Sequence, residues 1–179
     1  MLYATVPSFW LMIHPHADFW RARKGSPYRV LLPAWIALWI VFGVATFRWD
    51  SLLLYDTWWG WCPATVLLAA GLWLYRHSGN EFSLAQLGGL PELQSQPPDQ
   101  KLVTSGLRSR IRHPIYLAHL CEMLAWSLGS GLIVCYGLTA FAVVTGAVMI
   151  WLEDNELQHR FGEEFHEYRR RVPALLPRI

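Results

Sequence analysis

The stretch 115–152, IYLAHLCEMLAWSLGSGLIVCYGLTAFAVVTGAVMIWL, decides the fold. Apart from His119 and Glu122 it is almost wholly apolar, and Gly129-Ser130-Gly131 divides it. Crossing a bilayer takes roughly 20 apolar residues, at ~1.5 Å of rise each, against ~30 Å of hydrocarbon. Leu132 to Leu152 meets that length, whereas Ile115 to Leu128 gives only about 21 Å of helix. The stretch therefore predicts a helical hairpin whose first arm is short or starts early.

Working outward, Val30 to Phe47 (with Trp35 and Trp39 inside it) and Trp58 to Tyr75 are two further apolar runs. The N-terminal MLYATVPSFWLMIH is too apolar for a loop and too short for a comfortable span, and it carries Pro7. It is either a short first span or a segment lying in the interface. It lacks the basic leader and small-residue cleavage site of a secretory signal. The whole chain has 179 residues, enough for one domain, with 54% hydrophobic, 15% aromatic and only 16% charged residues. Soluble domains carry about 25% charged residues. Eleven tryptophans are many for this length, and tryptophan concentrates where lipid meets water. A net charge of +2 gives no reason to expect nucleic acid. Cys62, Cys121 and Cys135 have no metal-ligand spacing and read as small buried hydrophobes.

The expectation is an all-α integral membrane protein with about five transmembrane helices, including the C-terminal hairpin, followed by a cytoplasmic amphipathic helix. One domain, 1–179, divides into N-terminal spans (1–76), a cytoplasmic connection (77–113), the hairpin (114–152) and a C-terminal helix and tail (153–179). Loop charge sets the orientation. Fourteen of the 15 Lys and Arg fall in three segments: Ile13–Arg29, Arg76–Pro114 and the tail after Trp151. Only Arg48 lies in the Phe47–Thr57 connection, offset by Asp50 and Asp56. The long connection and the C-terminus are therefore expected on the cytoplasmic side.

Polar chemistry collects there. The connection begins irregularly, with Gly88-Gly89, Pro91 and Pro97-Pro98, and ends in LVTSGLRSRIRHPIYLAHL, 102–120. In the tail, Leu157, Phe161, Phe165, Tyr168 and Val172 step by three or four and form an apolar stripe. Glu153, Asp154 and Glu156 come early and Arg169 to Arg171 late, the order that suits a helix dipole. Gly162 is placed to bend this helix. Its arginines suit lipid phosphate on the headgroup surface. Glu153 follows directly on a long span, where a carboxylate either is solvated or faces a pocket. His119 and Glu122, three apart, share a helix face with Tyr116 and Trp126. They either hydrogen-bond within the bundle or line a substrate chamber. His14 and His16, in HPH, have no third ligand in the sequence, and no metal is expected there.

LVTSGLRSRIRHPIYL, followed one hairpin later by EDNELQHRFGEEFHEYRRRVPALLP, resembles the isoprenylcysteine carboxyl methyltransferases. It is also similar to the wider group of integral-membrane methyltransferases that includes phospholipid N-methyltransferases. The resemblance covers roughly Lys101 to Pro177; the N-terminal spans match only in being apolar. It implies an S-adenosyl-L-methionine site built from the cytoplasmic polar regions, with a tunnel open to the bilayer. Carried over residue by residue, the cofactor-binding set is Gln100, Leu102, Val103, Gly106, Arg108, His113, Pro114, Tyr116 and Glu153. Arg108 stands where the family has a tyrosine, and Asp154 completes the acidic pair. Glu153 suits the donor's ammonium, groups around Gly106 and His113 suit its polar atoms, and Tyr116 suits its adenine or methyl. Glu153, His119 and Glu122 are the candidate catalytic residues, the last two for taking a proton from an acceptor.

Met149 stands where the prenylcysteine enzymes hold the substrate carboxylate with an arginine, and Ala118 replaces a frequent glycine. The expected methyl acceptor is lipophilic or membrane-dissolved. A prenylcysteine-like carboxylate competes with a lipid amine and a small thiol, and Arg108, Arg110 or Arg112 are substitutes for the missing arginine. Two other classes stand beside this reading: an NADPH-dependent membrane reductase, and a non-catalytic protein that kept the architecture.

Overall fold

A computed structural model describes residues 2–23, 25–79, 93 and 101–176. Among these residues seven α-helices follow in order: α1 (Leu2–Ile13), α2 (Ala17–Ala22), α3 (Tyr28–Thr46), α4 (Trp61–Gly79), α5 (Pro114–Ser130), α6 (Ile133–Phe161) and α7 (Glu163–Arg171). Single 3₁₀ turns at His14–His16, Trp58–Gly60 and Gly106–Ser109 precede α2, α4 and α5.

α5 and α6 are the two arms of the hairpin. Pro114 opens α5 in its first turn, where a missing N–H leaves nothing unsatisfied. Gly131 closes it with φ 65°, a conformation that costs other residues a Cβ clash. The first arm thus starts one residue earlier and ends two later than Ile115–Leu128, and its 17 residues rise about 26 Å. α6 has 29 residues and does not end where the apolar run does; it carries Glu153 and Asp154 onward as one continuous helix. The break comes at Gly162, φ 56° and ψ −126°, after which α7 begins.

α3 and α6 are the helices long and apolar enough to cross a membrane among the described residues. α1 has 12 residues, about 18 Å of rise. Large apolar side chains lie outside and several polar ones inside. Ile40, Val44, Phe47, Val66, Leu72, Val144 and Trp151 point outward, while Thr5, His119, Glu122, Ser127, Thr139 and Asp154 are buried. Hydrocarbon offers polar groups no partners, so they must be satisfied inside. Ser127 and Thr139 share a hydroxyl–hydroxyl bond of 2.9 Å, and both reach the Met123 carbonyl. The indoles of Trp35 and Trp39 donate to the Thr5 hydroxyl at 3.0 and 2.8 Å. The three cysteines depart from expectation: Cys62 is exposed and the other two are half-buried, because each faces partly outward from its helix.

α5 packs on α4 and α6, and α1 packs on α6. Ala4 sits in a cluster with Met123, Val134, Leu138 and Ala142 near the start of α6. His14 meets Glu156 near its end, so α1 runs alongside α6 in the same direction. At the hairpin tip the 47–60 connection is laid across the turn. Leu54 donates to the Gly131 carbonyl at 2.8 Å and Ile133 to that of Leu52 at 3.0 Å. The Tyr55 hydroxyl donates to the Leu128 carbonyl at 2.6 Å and lies 2.8 Å from that of Tyr136.

Candidate functional site

The other end of the hairpin holds the candidate site. It is built from the start of α5, the last turns of α6, and the tail. Two neighbouring carboxylates on α6, Glu153 and Asp154, would repel one another in a poorly solvated place unless each were compensated. The fold brings the compensation from the segment before α5. Arg112 donates to both Asp154 oxygens, from Nη2 at 2.6 Å and Nε at 3.4 Å. His113 places one ring nitrogen on each carboxylate: Nε2 lies 3.0 Å from Asp154 and Nδ1 3.5 Å from Glu153. Arg169 adds its charge at 3.8 Å from Asp154. Burial by itself pushes the His113 imidazole toward its neutral form. The charge of Glu153 and the hydrogen bonds to both carboxylates outweigh it and raise the pKa to about 9. The ring is therefore an imidazolium at neutral pH, with an N–H for each acid.

The tail fixes this arrangement. The backbone N–H groups of Arg112 and His113 donate to the carbonyls of Pro173 and Ala174, each at 2.9 Å. Arg112 also reaches the carbonyls of Arg169 and Val172, and the Tyr168 hydroxyl donates to that of Arg108 at 2.6 Å. The apolar stripe makes the strap adhere: Phe165, Tyr168 and Val172 are buried with Leu102, Leu157 and Phe161 against them.

The two carboxylates end in different states. The side chain of Asp154 is 5% exposed and saturated by Arg112 and His113, whereas that of Glu153 keeps 25% of its surface. Tyr116 hydrogen-bonds Glu153, and its ring meets that of His113 edge-on at 5.7 Å. A carboxylate has about four acceptor positions, so His113 and Tyr116 leave Glu153 capacity for another cation. Arg108 is near enough for its charge to act on Glu153, and its guanidinium donates to the Arg112 carbonyl at 3.2 Å.

Of the residues named from sequence, His113, Tyr116, Glu153 and Arg108 converge here. Gly106, at φ 58°, and exposed Val103 lie on the approach to Arg108; Pro114 is fully buried beneath, and Leu102 packs into the tail cluster. Gln100 lies outside the described residues. His119 and Glu122 are buried farther along α5, where His119 Nδ1 is 3.3 Å from the Tyr75 hydroxyl of α4. Among the described residues no three His, Cys, Asp or Glu side chains are grouped to hold a metal ion. Sequence reasoning offered Arg112, with Arg108 and Arg110, as a substitute for the missing substrate-binding arginine; instead it is 7% exposed and bound to Asp154. The signal was present: a second buried carboxylate demands a cation, and Arg112 adjoins His113. Met149 is fully buried, so the place where an arginine would hold a carboxylate is a sealed apolar position.

The chain is 36% identical over 86 residues to the protein-S-isoprenylcysteine O-methyltransferase of Homo sapiens, covering 44% of this chain and 28% of that protein. It is 34% identical over 85 residues to protein-S-isoprenylcysteine O-methyltransferase B of Arabidopsis thaliana, covering 43% and 40%. With the cobalt-zinc-cadmium resistance protein CzcN of Cupriavidus metallidurans it shares 37% identity over 149 residues, 80% of this chain and 64% of that one. The chain thus spans less than two thirds of the length of each of these relatives. No family model matches the chain. No solved structure matches it either. The matches relate the chain to the isoprenylcysteine carboxyl methyltransferase family.

Proposed function

Proceeding from this kinship, we propose that the chain is an integral-membrane methyltransferase that takes its methyl group from S-adenosyl-L-methionine and passes it to a lipophilic acceptor. The observation that carries the reading is the asymmetry of the acidic pair: Asp154 is sealed by Arg112 and His113, and Glu153 keeps an open, negatively charged edge beside Tyr116. Glu153 would hold the donor's ammonium, the backbone around Gly106 its polar atoms, and Tyr116 its apolar parts. When bound, the donor supplies an electrophilic methyl on a sulfonium. The protein's share is alignment and exclusion of water, which suffice for a displacement of this kind. His113, as an imidazolium held between two acids, orients Glu153 rather than acting as a base.

A neutral or amine acceptor fits Met149 better than a carboxylate does, while Arg108 and Arg110 remain candidates to hold a prenylcysteine-like carboxylate. Met149 is apolar and sealed, and Arg112 is committed to Asp154, which leaves a substrate carboxylate without either partner. His119 and Glu122 are proposed to take up the proton that an amine or thiol acceptor releases. The orientation read from loop charge belongs to the same proposal: five crossings, with the connection before α5 and the tail on the cytoplasmic side. The His14–Glu156 contact supports it by bringing the basic N-terminal connection to the same end as the tail.

Calorimetric titration of the detergent-purified chain with S-adenosylhomocysteine, with NADPH run in parallel, tests the reading. Saturable binding of the first alone is expected. Binding of NADPH alone, or of neither by a folded sample, overturns it.

A further inference from the structure

The family resemblance begins near Lys101 and gives the N-terminal segment no part in the site. The structure gives it one. The 3₁₀ turn after α1 carries His14, whose side chain is 11% exposed and whose Nδ1 lies 2.8 Å from Glu156 Oε2. The contact is fixed from both sides. The second oxygen of Glu156 accepts from Arg160 Nη2 at 2.6 Å, which sets the carboxylate's orientation. The Trp10 ring lies over the imidazole, with centroids 5.2 Å apart and planes 31° apart, which sets the ring's. Glu156 is three residues beyond Glu153 on α6, so the two carboxylates share one face of that helix. His14 is close enough for its charge to act on Glu153, as do those of His113 and Arg108. Three segments far apart in sequence therefore bring charge to bear on one carboxylate.

We propose that His14 is a positioning residue of the donor site: its bond to Glu156 holds the His-Pro-His turn against the face of α6 that carries Glu153, and so walls the open edge of that carboxylate. The inference rests on the reading of Glu153 as the ammonium's partner and adds an N-terminal wall to it. The physical reason is dielectric. An ammonium–carboxylate pair in bulk water is worth about a quarter of the same pair at a protein surface. An N-terminal segment that pulls away would let water reach Glu153 from that side.

The test is calorimetric titration of the full chain in detergent with S-adenosylhomocysteine, with thermal melting of every variant. His14→Ala is expected to bind roughly tenfold more weakly, a loss of about 1.4 kcal/mol, while melting within a few degrees of the parent. His14→Asn, whose amide nitrogen replaces Nδ1 as donor, recovers most of the affinity. Glu156→Ala reproduces most of the loss, and the double variant loses less than the sum of the two single ones, because they share the His14–Glu156 contact. Parent-like affinity in a folded His14→Ala overturns this inference and leaves the methyltransferase reading standing. Equal losses of affinity and melting temperature in His14→Ala and His14→Asn reduce the contact to general stability and overturn it too. A parent chain that binds no S-adenosylhomocysteine overturns both.

Discussion

The two ends of the α5–α6 hairpin solve the same problem with different chemistry. At the tip, the 47–60 connection is fastened across Gly131 by neutral groups: backbone amides, backbone carbonyls and two tyrosine hydroxyls. At the other end the tail is fastened across the start of α5 by backbone bonds to Pro173 and Ala174 and by buried charge: Arg112, His113 and Asp154. Neutral bonds suffice where a strap need only close. Burying charge brings a desolvation cost that an apolar core of the same shape avoids. Among the described residues it is used at one end of the hairpin, the end where we propose that the donor's ammonium binds. Asp154 neutralises the cations that hold the tail, and its neighbour Glu153 is left for something else.

The comparison breaks first at Asp154. Asp154→Ala leaves the Arg112 guanidinium buried without its partner, and loss of one member of a buried pair costs about 3–5 kcal/mol. Denaturant unfolding in detergent should register it, and a loss below ~1 kcal/mol would mean that water reaches Arg112. Next is pH. His113 has its folded pKa raised from 6.5 to about 9, so its stabilising contribution is complete below about pH 6.5 and is lost as pH rises through about 9. The shift corresponds to about 3 kcal/mol. Melting temperature should fall over that window in the parent and stay flatter in His113→Asn. Tip variants should leave the slope intact.

Glu153→Gln sharpens the contrast between neighbours. It removes the charge that does most to raise the His113 pKa, so melting temperature should fall and lose part of its pH slope, but by less than in Asp154→Ala, because Arg112 keeps its acid. Loss of a charge-assisted bond of about 1.5–3 kcal/mol predicts roughly 10- to 150-fold weaker S-adenosylhomocysteine binding by calorimetry. At the tip, Gly131→Ala must adopt φ 65° and runs its Cβ into the Tyr55 carbonyl, for a loss of about 1–3 kcal/mol in stability. Donor affinity should be untouched. Tyr55→Phe removes one hydroxyl from the same strap and should cost about 0.5–1.5 kcal/mol, the smallest effect of the set.

What the sequence made legible follows from what is local. The hairpin's first arm, its glycine turn and the bend at Gly162 are written in neighbouring residues and lie within two positions of expectation, whereas the second arm runs on past Leu152 to Phe161. The start of α5 was displaced because Pro114 is itself a good first helical residue. Within the site, the convergence of His113, Tyr116 and Glu153 was legible from the ordered pattern of two segments. The roles within it were not. His113 was expected to offer a hydrogen bond to the donor, yet both of its nitrogens are taken by acids 40 and 41 residues away, a pairing no spacing rule encodes. The His14–Glu156 bond joins residues 142 apart, and His14 sits in a turn whose only sequence signal was a weak metal motif. Arg112 was the avoidable miss, because the demand of a buried Asp154 for a cation can be stated without coordinates.

The Arg112–His113–Asp154 trio has a consequence for descent. Each member leans on the others: remove the acid and a buried arginine is left without one, remove a cation and the acid is left short. No single replacement preserves the balance, so a lineage leaves this arrangement only by exchanging several members together or by passing through a chain that folds poorly. Among related sequences the trio should therefore be inherited or absent as a block, even where the methyl acceptor and the residues that recognise it have drifted apart.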